Sequence, residues 1–258
     1  MYDFGPYSAV AEDLAGTPFS AIAYRAETGS TNDDAAALLG DPAAAGLTIV
    51  AERQTHGKGR RGRTWIAHPG SALLFTTILP RELPSSHLWA VPFWTVLAVH
   101  RALRDCAIDA SIVWPNDLLL GTGKVAGVLC ASRVSGESAW SACGIGINLR
   151  RSPEAAERID PLPGFCDDVA PVDGASLLRS ILRAFDASLD ALDNPQRIAR
   201  VWETTAKVPG RRYRLLKDGE REPFEATAIA LANGGGLVVR RDDGTRETIA
   251  LADARALR

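Results

Sequence analysis

The stretch LTIVAERQTHGKGRRGRTW, residues 47–65, sets the reading of the whole chain. Its opening residues, up to Glu52, are apolar and β-branched, which predicts a strand. That strand runs straight into residues 53–65, which hold four Arg, one Lys, one His, three Gly and no carboxylate. Gly57, Gly59 and Gly62 let the backbone approach a ligand closely. Exposed N–H groups in such a loop cradle anionic oxygens, and arginine forks add paired hydrogen bonds. A solvated basic loop is the competing reading.

The rest of the composition narrows the anion. The 258 residues carry a formal net charge of -2 and are 46% hydrophobic. A general polyanion binder needs a broad basic surface, and a near-neutral chain lacks the charge for one. The positive charge of the loop is local, which favours a small anionic ligand. No apolar run is long enough to span a membrane. The N-terminus, MYDFGPYSAVAEDLAG, has no basic segment followed by an apolar one, so it does not read as a secretion signal. Cys106, Cys130, Cys143 and Cys166 are far apart in sequence and form no C-x-x-C pair. Reduced thiols in a cytoplasmic protein are expected, with no zinc knot and no metal set.

Outward from the loop, FSAIAYRAE reads as a strand. STNDDAAALLG reads as a helix capped by Ser30 or Thr31 and ending at Gly40. SALLFTTILP is a buried strand, and SHLWAVPFWTVLAVHRALRDC a long apolar helix with a kink expected at Pro92. Short strands follow in ASIVW, DLLL, KVAGVLCASRV and SAWSACGIGINL, then amphipathic helices over 175–192 and 195–207. Beyond VPGRR, the runs YRLL, PFEATAIAL, GLVVRR and RETIAL are separated by KDGE, NGGG and DDGT, which is hairpin chemistry. The expected organisation is a larger domain over 1–207 and a small all-β barrel over 208–258.

A second chemical signal is VWPNDLLLGTGKVAGVL, residues 113–129. Pro115 holds Trp114 extended, and Asn116 and Asp117 come at a strand junction. Lys124 opens the next strand, from a mostly apolar surface. A plain turn and a plain exposed lysine are the ordinary readings of each alone. Walker A requires Ser or Thr after Gly-Lys. Gly59 follows Gly57-Lys58 and Val125 follows Gly123-Lys124, so neither fits. A dinucleotide-binding turn is set aside as well.

GSTND, ERQTHGKGRRGRTW, WPNDLLLGTGKVAGVL and GIGINL, in that order and followed by a small β region, resemble the biotin–protein ligases. The resemblance implies an α+β fold. Its catalytic part would be a mixed sheet with helices, like a class II aminoacyl-tRNA synthetase, followed by an SH3-like C-terminal barrel. It implies that biotin and ATP, with Mg2+, give biotinyl-5′-AMP, and that biotin then passes to a lysine of a biotin carboxyl carrier domain.

Residue by residue, Ser30, Thr31 and Asn32 match side chains that meet the biotin ureido ring, a neutral group needing neutral donors and acceptors. Gln54 matches a second ureido partner. Gly57, Lys58, Gly59 and Arg60 match a loop that folds over biotin and the adenylate. Arg60 and Arg63 are expected to contact phosphate. Lys124 matches the lysine that holds the biotin carboxylate and then the acyl-phosphate oxygens, and with Arg60 is the expected catalytic pair. Gly127 lets the chain pass close to the ligand. Asn116 and Asn148 match ATP contacts, and Asp117 is assigned to positioning the acceptor lysine or Mg2+. Trp65 and Trp202 match aromatics near the nucleotide, with core packing the competing reading for each.

The chain departs from the family at three points. Val113 stands where a lysine often precedes Trp-Pro-Asn-Asp. Lys58 stands where many members have Arg, losing the bidentate fork. His56 replaces a small residue. A winged helix-turn-helix has no room ahead of Ser30, so no DNA binding is expected. The nearest competing activity is ligation of lipoate or octanoate. A nucleic-acid-binding protein is the competing class.

Overall fold

The computed structural model describes residues 3–152, 162–252 and 254–257. Strands β1 (Ile22–Thr28), β2 (Thr48–Gln54), β3 (Ala72–Ile78), β4 (Leu83–Pro84), β5 (Ser111–Val113), β6 (Asp117–Leu120), β7 (Gly123–Ser135) and β8 (Ser138–Asn148) form one sheet. Its order is β1-β2-β3-β8-β7-β6-β5, with β4 paired to β8. The β1–β2 pair is parallel and the others antiparallel, so the sheet is mixed as expected. Among the described residues five α-helices accompany it: α1 (Ser8–Asp13), α2 (Thr31–Ala37), α3 (Val91–Asp105), α4 (Gly174–Ser188) and α5 (Pro195–Thr205).

Strand alternation sorts the two faces. Val50, Phe75, Ile145 and Ile147 join the large core under α3 and α4, while Ile49, Ile78 and Ala142 join a smaller cluster beneath α2. In β8 the isoleucines of GIGIN therefore enter the core, and the glycines face the α2 side. The large core is anchored by aromatic pairs. Trp94 stacks on Phe185 at 4.4 Å, and Phe93 meets Trp202 edge-on at 5.3 Å.

Pro92 does not kink a helix. It sits in the first turn of α3, where a missing N–H costs no hydrogen bond. The preceding residues 85–90 form a 3₁₀ turn.

The C-terminal strands β9 (Arg212–Lys217), β10 (Phe224–Leu231), β11 (Leu237–Arg241), β12 (Arg246–Ile249) and β13 (Ala254–Leu257) make a separate antiparallel sheet. Its order is β12-β11-β10-β9-β13, and among the described residues no ladder joins β12 to β13. β13 was not foreseen, because ARAL has no β-branched or aromatic residue. The small sheet is docked by its own apolar face, since Tyr213, Leu215 and Val239 belong to the large core. Trp114, 1% exposed, donates through Nε1 to Gly235 O at 3.1 Å and binds the two sheets together.

Candidate active site

A cavity of about 340 Å³ opens on the α2 side of the main sheet. One end is made by the start of α2. Ser30, Thr31 and Asn32 are all buried there, at 2%, 4% and 9% exposure. Neither Ser30 nor Thr31 caps the helix through its side chain. The orphan N–H of Thr31 is instead taken by Gln54 Oε1 at 2.7 Å, which also accepts from the Thr31 hydroxyl at 3.1 Å. A strand end thus caps a helix across 23 positions of sequence. Because the Thr31 amide can only donate, the carboxamide orientation follows.

Asn32 Nδ2 donates to Leu129 O at 3.0 Å, and its Oδ1 lies 2.7 Å from the Thr76 hydroxyl. A Cβ at Gly144 would come within 1.8 Å of that Oδ1. The glycine is what allows Asn32 to lie against β8. Thr76, fully buried and hydrogen-bonded to this set, was missed from sequence because it reads as one more strand residue.

The other end of the cavity is cationic. The basic segment forms a tight loop, with Gly59 N donating to Arg63 O at 2.7 Å and Trp65 N to Gly57 O at 2.9 Å. Gly57, Gly59 and Gly62 do fit G-x-G-x-x-G by letter. A single 3₁₀ turn at Arg60–Gly62 follows where a dinucleotide site would begin an α-helix, so that reading fails on structure. Lys58 reaches Asp33 at 2.6 Å, with both side chains about half exposed, so the pair stabilises little. Arg60 donates to Asn116 Oδ1 at 3.4 Å. Burial first, then the neighbouring charge of Arg61, pulls the Arg60 guanidinium below its usual value. Arg63 adds to this, and Asp117 and Asp218 oppose it. A buried cation crowded by like charges gains from any anion placed beside it. Arg61 has φ +60°, a left-handed conformation that costs a non-glycine residue about 1–2 kcal/mol.

Lys124 and Asp117 pair at 2.6 Å, with side chains 16% and 10% exposed. Lys124 Nζ also lies 5.4 Å from the centre of the Trp65 ring. Gly127 and Gly146 form the floor beneath them. A Cβ at Gly127 would come within 2.8 Å of Lys124 Nζ, and one at Gly146 within 2.7 Å of Trp65. The Trp65 indole N–H is buried with no hydrogen-bond partner among the described residues. Asn148 Nδ2 donates to Lys124 O at 3.0 Å and Gly164 O at 3.2 Å, which fixes the backbone that carries the lysine.

Ser30, Thr31, Asn32, Gln54, Lys58, Gly59, Arg60, Arg63, Trp65, Asn116, Lys124, Gly127 and Asn148 all line this cavity. Gly57 supports the loop from behind, and Asp117 reaches the site through Lys124. Trp202 is not brought to it. That indole is 0% exposed in the core beside Phe93, so the packing reading accounts for its position. His68, Ser152, Pro163 and Phe165 also line the cavity and carried no sequence signal. Val113 is buried in the core. His56 stands at the loop's edge with its Nδ1 3.0 Å from the Thr55 hydroxyl.

The profile of the biotin/lipoate A/B protein ligase family matches residues 27–148 of this chain. The match spans 122 of the chain's 258 residues. The matched segment carries both ends of the cavity, from the start of α2 to Asn148. Among curated relatives, a biotin–[acetyl-CoA-carboxylase] ligase of Mycobacterium tuberculosis is 28% identical over 221 residues, 81% of this chain and 79% of that one. A ligase of the same description from Paracoccus denitrificans is 38% identical over 135 residues, which span 50% of this chain and 55% of its own. The fold matches a biotin protein ligase from Aquifex aeolicus solved with biotin and ATP. The TM-score is 0.74 at 24% identity, covering 93% of this chain and 100% of that one.

Proposed function

We propose that this chain is a member of the biotin/lipoate ligase family and an ATP-dependent biotin–protein ligase, which makes biotinyl-5′-AMP and passes biotin to a lysine of a biotin carboxyl carrier domain. The observation that carries the reading is one cavity with a neutral polar end and a cationic end. Ser30, Thr31, Asn32 and Gln54 suit the ureido ring, whose carbonyl accepts and whose N–H groups donate. Lys124, Arg60 and Arg63 suit the carboxylate and the phosphates. Curated relatives described as biotin–[acetyl-CoA-carboxylase] ligases support the same substrate and acceptor.

The chemistry follows from the charges. In the first step a biotin carboxylate oxygen attacks the α-phosphorus of ATP, and the bond to the β-phosphate oxygen breaks, releasing pyrophosphate. Lys124 is the cation between the two reacting anions. It offsets their repulsion and holds them in attack geometry. Asp117 occupies the lysine before they arrive. In the second step the acceptor lysine amine attacks the acyl carbon and AMP leaves with its bonding electrons. Loss of the amine proton completes the amide. Arg60 and Arg63 hold the AMP phosphate, Asn116 and Asn148 order the wall beside it, and Trp65 offers a ring face and an N–H. Gly57, Lys58 and Gly59 close the loop over the acyl group and keep water out. Asp117 would be the carboxylate to hold Mg2+ beside the substrate phosphates, whose charge the ion would offset.

We assign residues 1–207 to a class II synthetase-like catalytic domain and 208–258 to an SH3-like domain, for which five short antiparallel strands are the supporting feature. The four cysteines are free, which suits a cytoplasmic protein. No helix among the described residues is long and apolar enough to cross a membrane.

Purified chain with biotin, ATP, Mg2+ and a carrier domain should add one biotin to one carrier lysine, read by intact-mass spectrometry. Modification with lipoate in place of biotin would overturn the biotin assignment.

A further inference from the structure

Adjacent arginines of the basic loop differ in what they reach. Arg60 and Arg63 line the cavity, whereas Arg61 does not. Arg61 forms an ion pair with Asp218, in the turn between β9 and β10, and donates to Ala252 O at 2.5 Å. Arg60 adds a bond to Leu251 O. The acceptors come from two segments of the small sheet, one of them 157 residues further along the chain than the arginine it meets. The loop therefore touches its own sheet at one end and the small sheet at its tip.

An isolated ion pair this exposed, with side chains 21% and 61% accessible, would matter little. Two features raise its weight. Arg61 is held at a positive φ that it would leave if released. Three arginines lie within four residues, and among the described residues Asp218 is the carboxylate paired with the middle one. Arg61 repels Arg60 even with the pair formed, and Asp218 opposes that effect.

We propose that Asp218 is a positioning residue for the basic loop. It holds Arg61 against the small sheet, so that Arg60 and Arg63 face the cavity and the loop stays closed. The small sheet is thereby part of the lid, although it contributes no wall to the polar end of the cavity. The structural half of this proposal stands alone. Its chemical half, retention of the acyl-adenylate, rests on the ligase reading.

Hydrogen–deuterium exchange on the full chain tests the structural half. The amides of Gly59 and Trp65, which bond to Arg63 O and Gly57 O, report loop closure. In Asp218→Ala their exchange should rise about two- to fivefold at low salt. Salt near 1 M should bring the wild-type rate toward the variant's, because it screens the pair. The swapped pair Arg61→Asp with Asp218→Arg should restore protection, since Asp tolerates a left-handed backbone. Unchanged exchange in Asp218→Ala, or a swap that restores nothing, overturns the latch. Adenylate release without carrier tests the chemical half: Asp218→Ala should release it about two- to fivefold faster. Faster amide exchange with unaltered release would overturn the role in retention. A wild-type chain that makes no adenylate would instead sink the ligase reading and leave the amide result standing.

Discussion

In the proposed mechanism the chemistry turns on Lys124, which is held by Asp117 at 2.6 Å in a setting where both are largely buried. Lys124→Ala should lower adenylate formation about 100-fold or more, as loss of a transition-state donor does. The variant also strands a largely buried carboxylate, which costs about 1–3 kcal/mol of stability. Single-turnover rates should therefore be measured beside thermal melts, well below the variant's midpoint. A rate within tenfold of wild type would remove Lys124 from the proposed mechanism. Much of this site was legible in the chain, because Gly-Lys after an apolar strand and a basic glycine loop are local patterns. Gln54 entered only through the family resemblance, and its capping of Thr31 was not legible. That bond joins two elements 23 positions apart, and no periodicity reports it. Trp202 shows the opposite failure: an aromatic at a suggestive place in the chain, whose position is explained by packing on Phe93.

At the scale of elements, the helices were legible wherever an apolar stripe and a cap coincided. α4 begins with Asp173, whose carboxylate accepts from Ser176 N at 2.8 Å. Those hydrogen bonds hold its carboxyl below the usual carboxylate value. Since the folded value is depressed, the stabilisation is present above the unfolded pKa of about 3.9 and is lost as pH falls through the folded one. Asp173→Ala should cost about 1 kcal/mol at neutral pH, less solvent screening, and the cost should shrink in acid. Denaturant melts at pH 7 and pH 3 check this, and equal losses at both would contradict it. Pro92 was misread because proline's effect depends on position within a helix, and periodicity alone did not locate the first turn. β13 was missed because its pairing with β9, not its composition, makes it a strand.

Across the whole molecule, the two sheets share one core and one loop. Trp114 and Tyr213 join them from within, and Arg60 and Arg61 join them at the surface. The hairpin turns of the small sheet were readable, but its grip on the basic loop was not. Contacts between residues 60–61 and residues 218–252 exist only once both sheets have formed. In the proposed reading that juxtaposition gives the cavity a lid beside its neutral and cationic ends, as a reactive mixed anhydride needs. The central claim is that this compartment activates biotin with ATP. Biotin-dependent exchange of labelled pyrophosphate into ATP tests it most directly, with the full chain, Mg2+ and no carrier present. Exchange should appear with biotin, vanish without it and stay at background with lipoate. No exchange with biotin, or exchange supported by lipoate alone, would contradict the account.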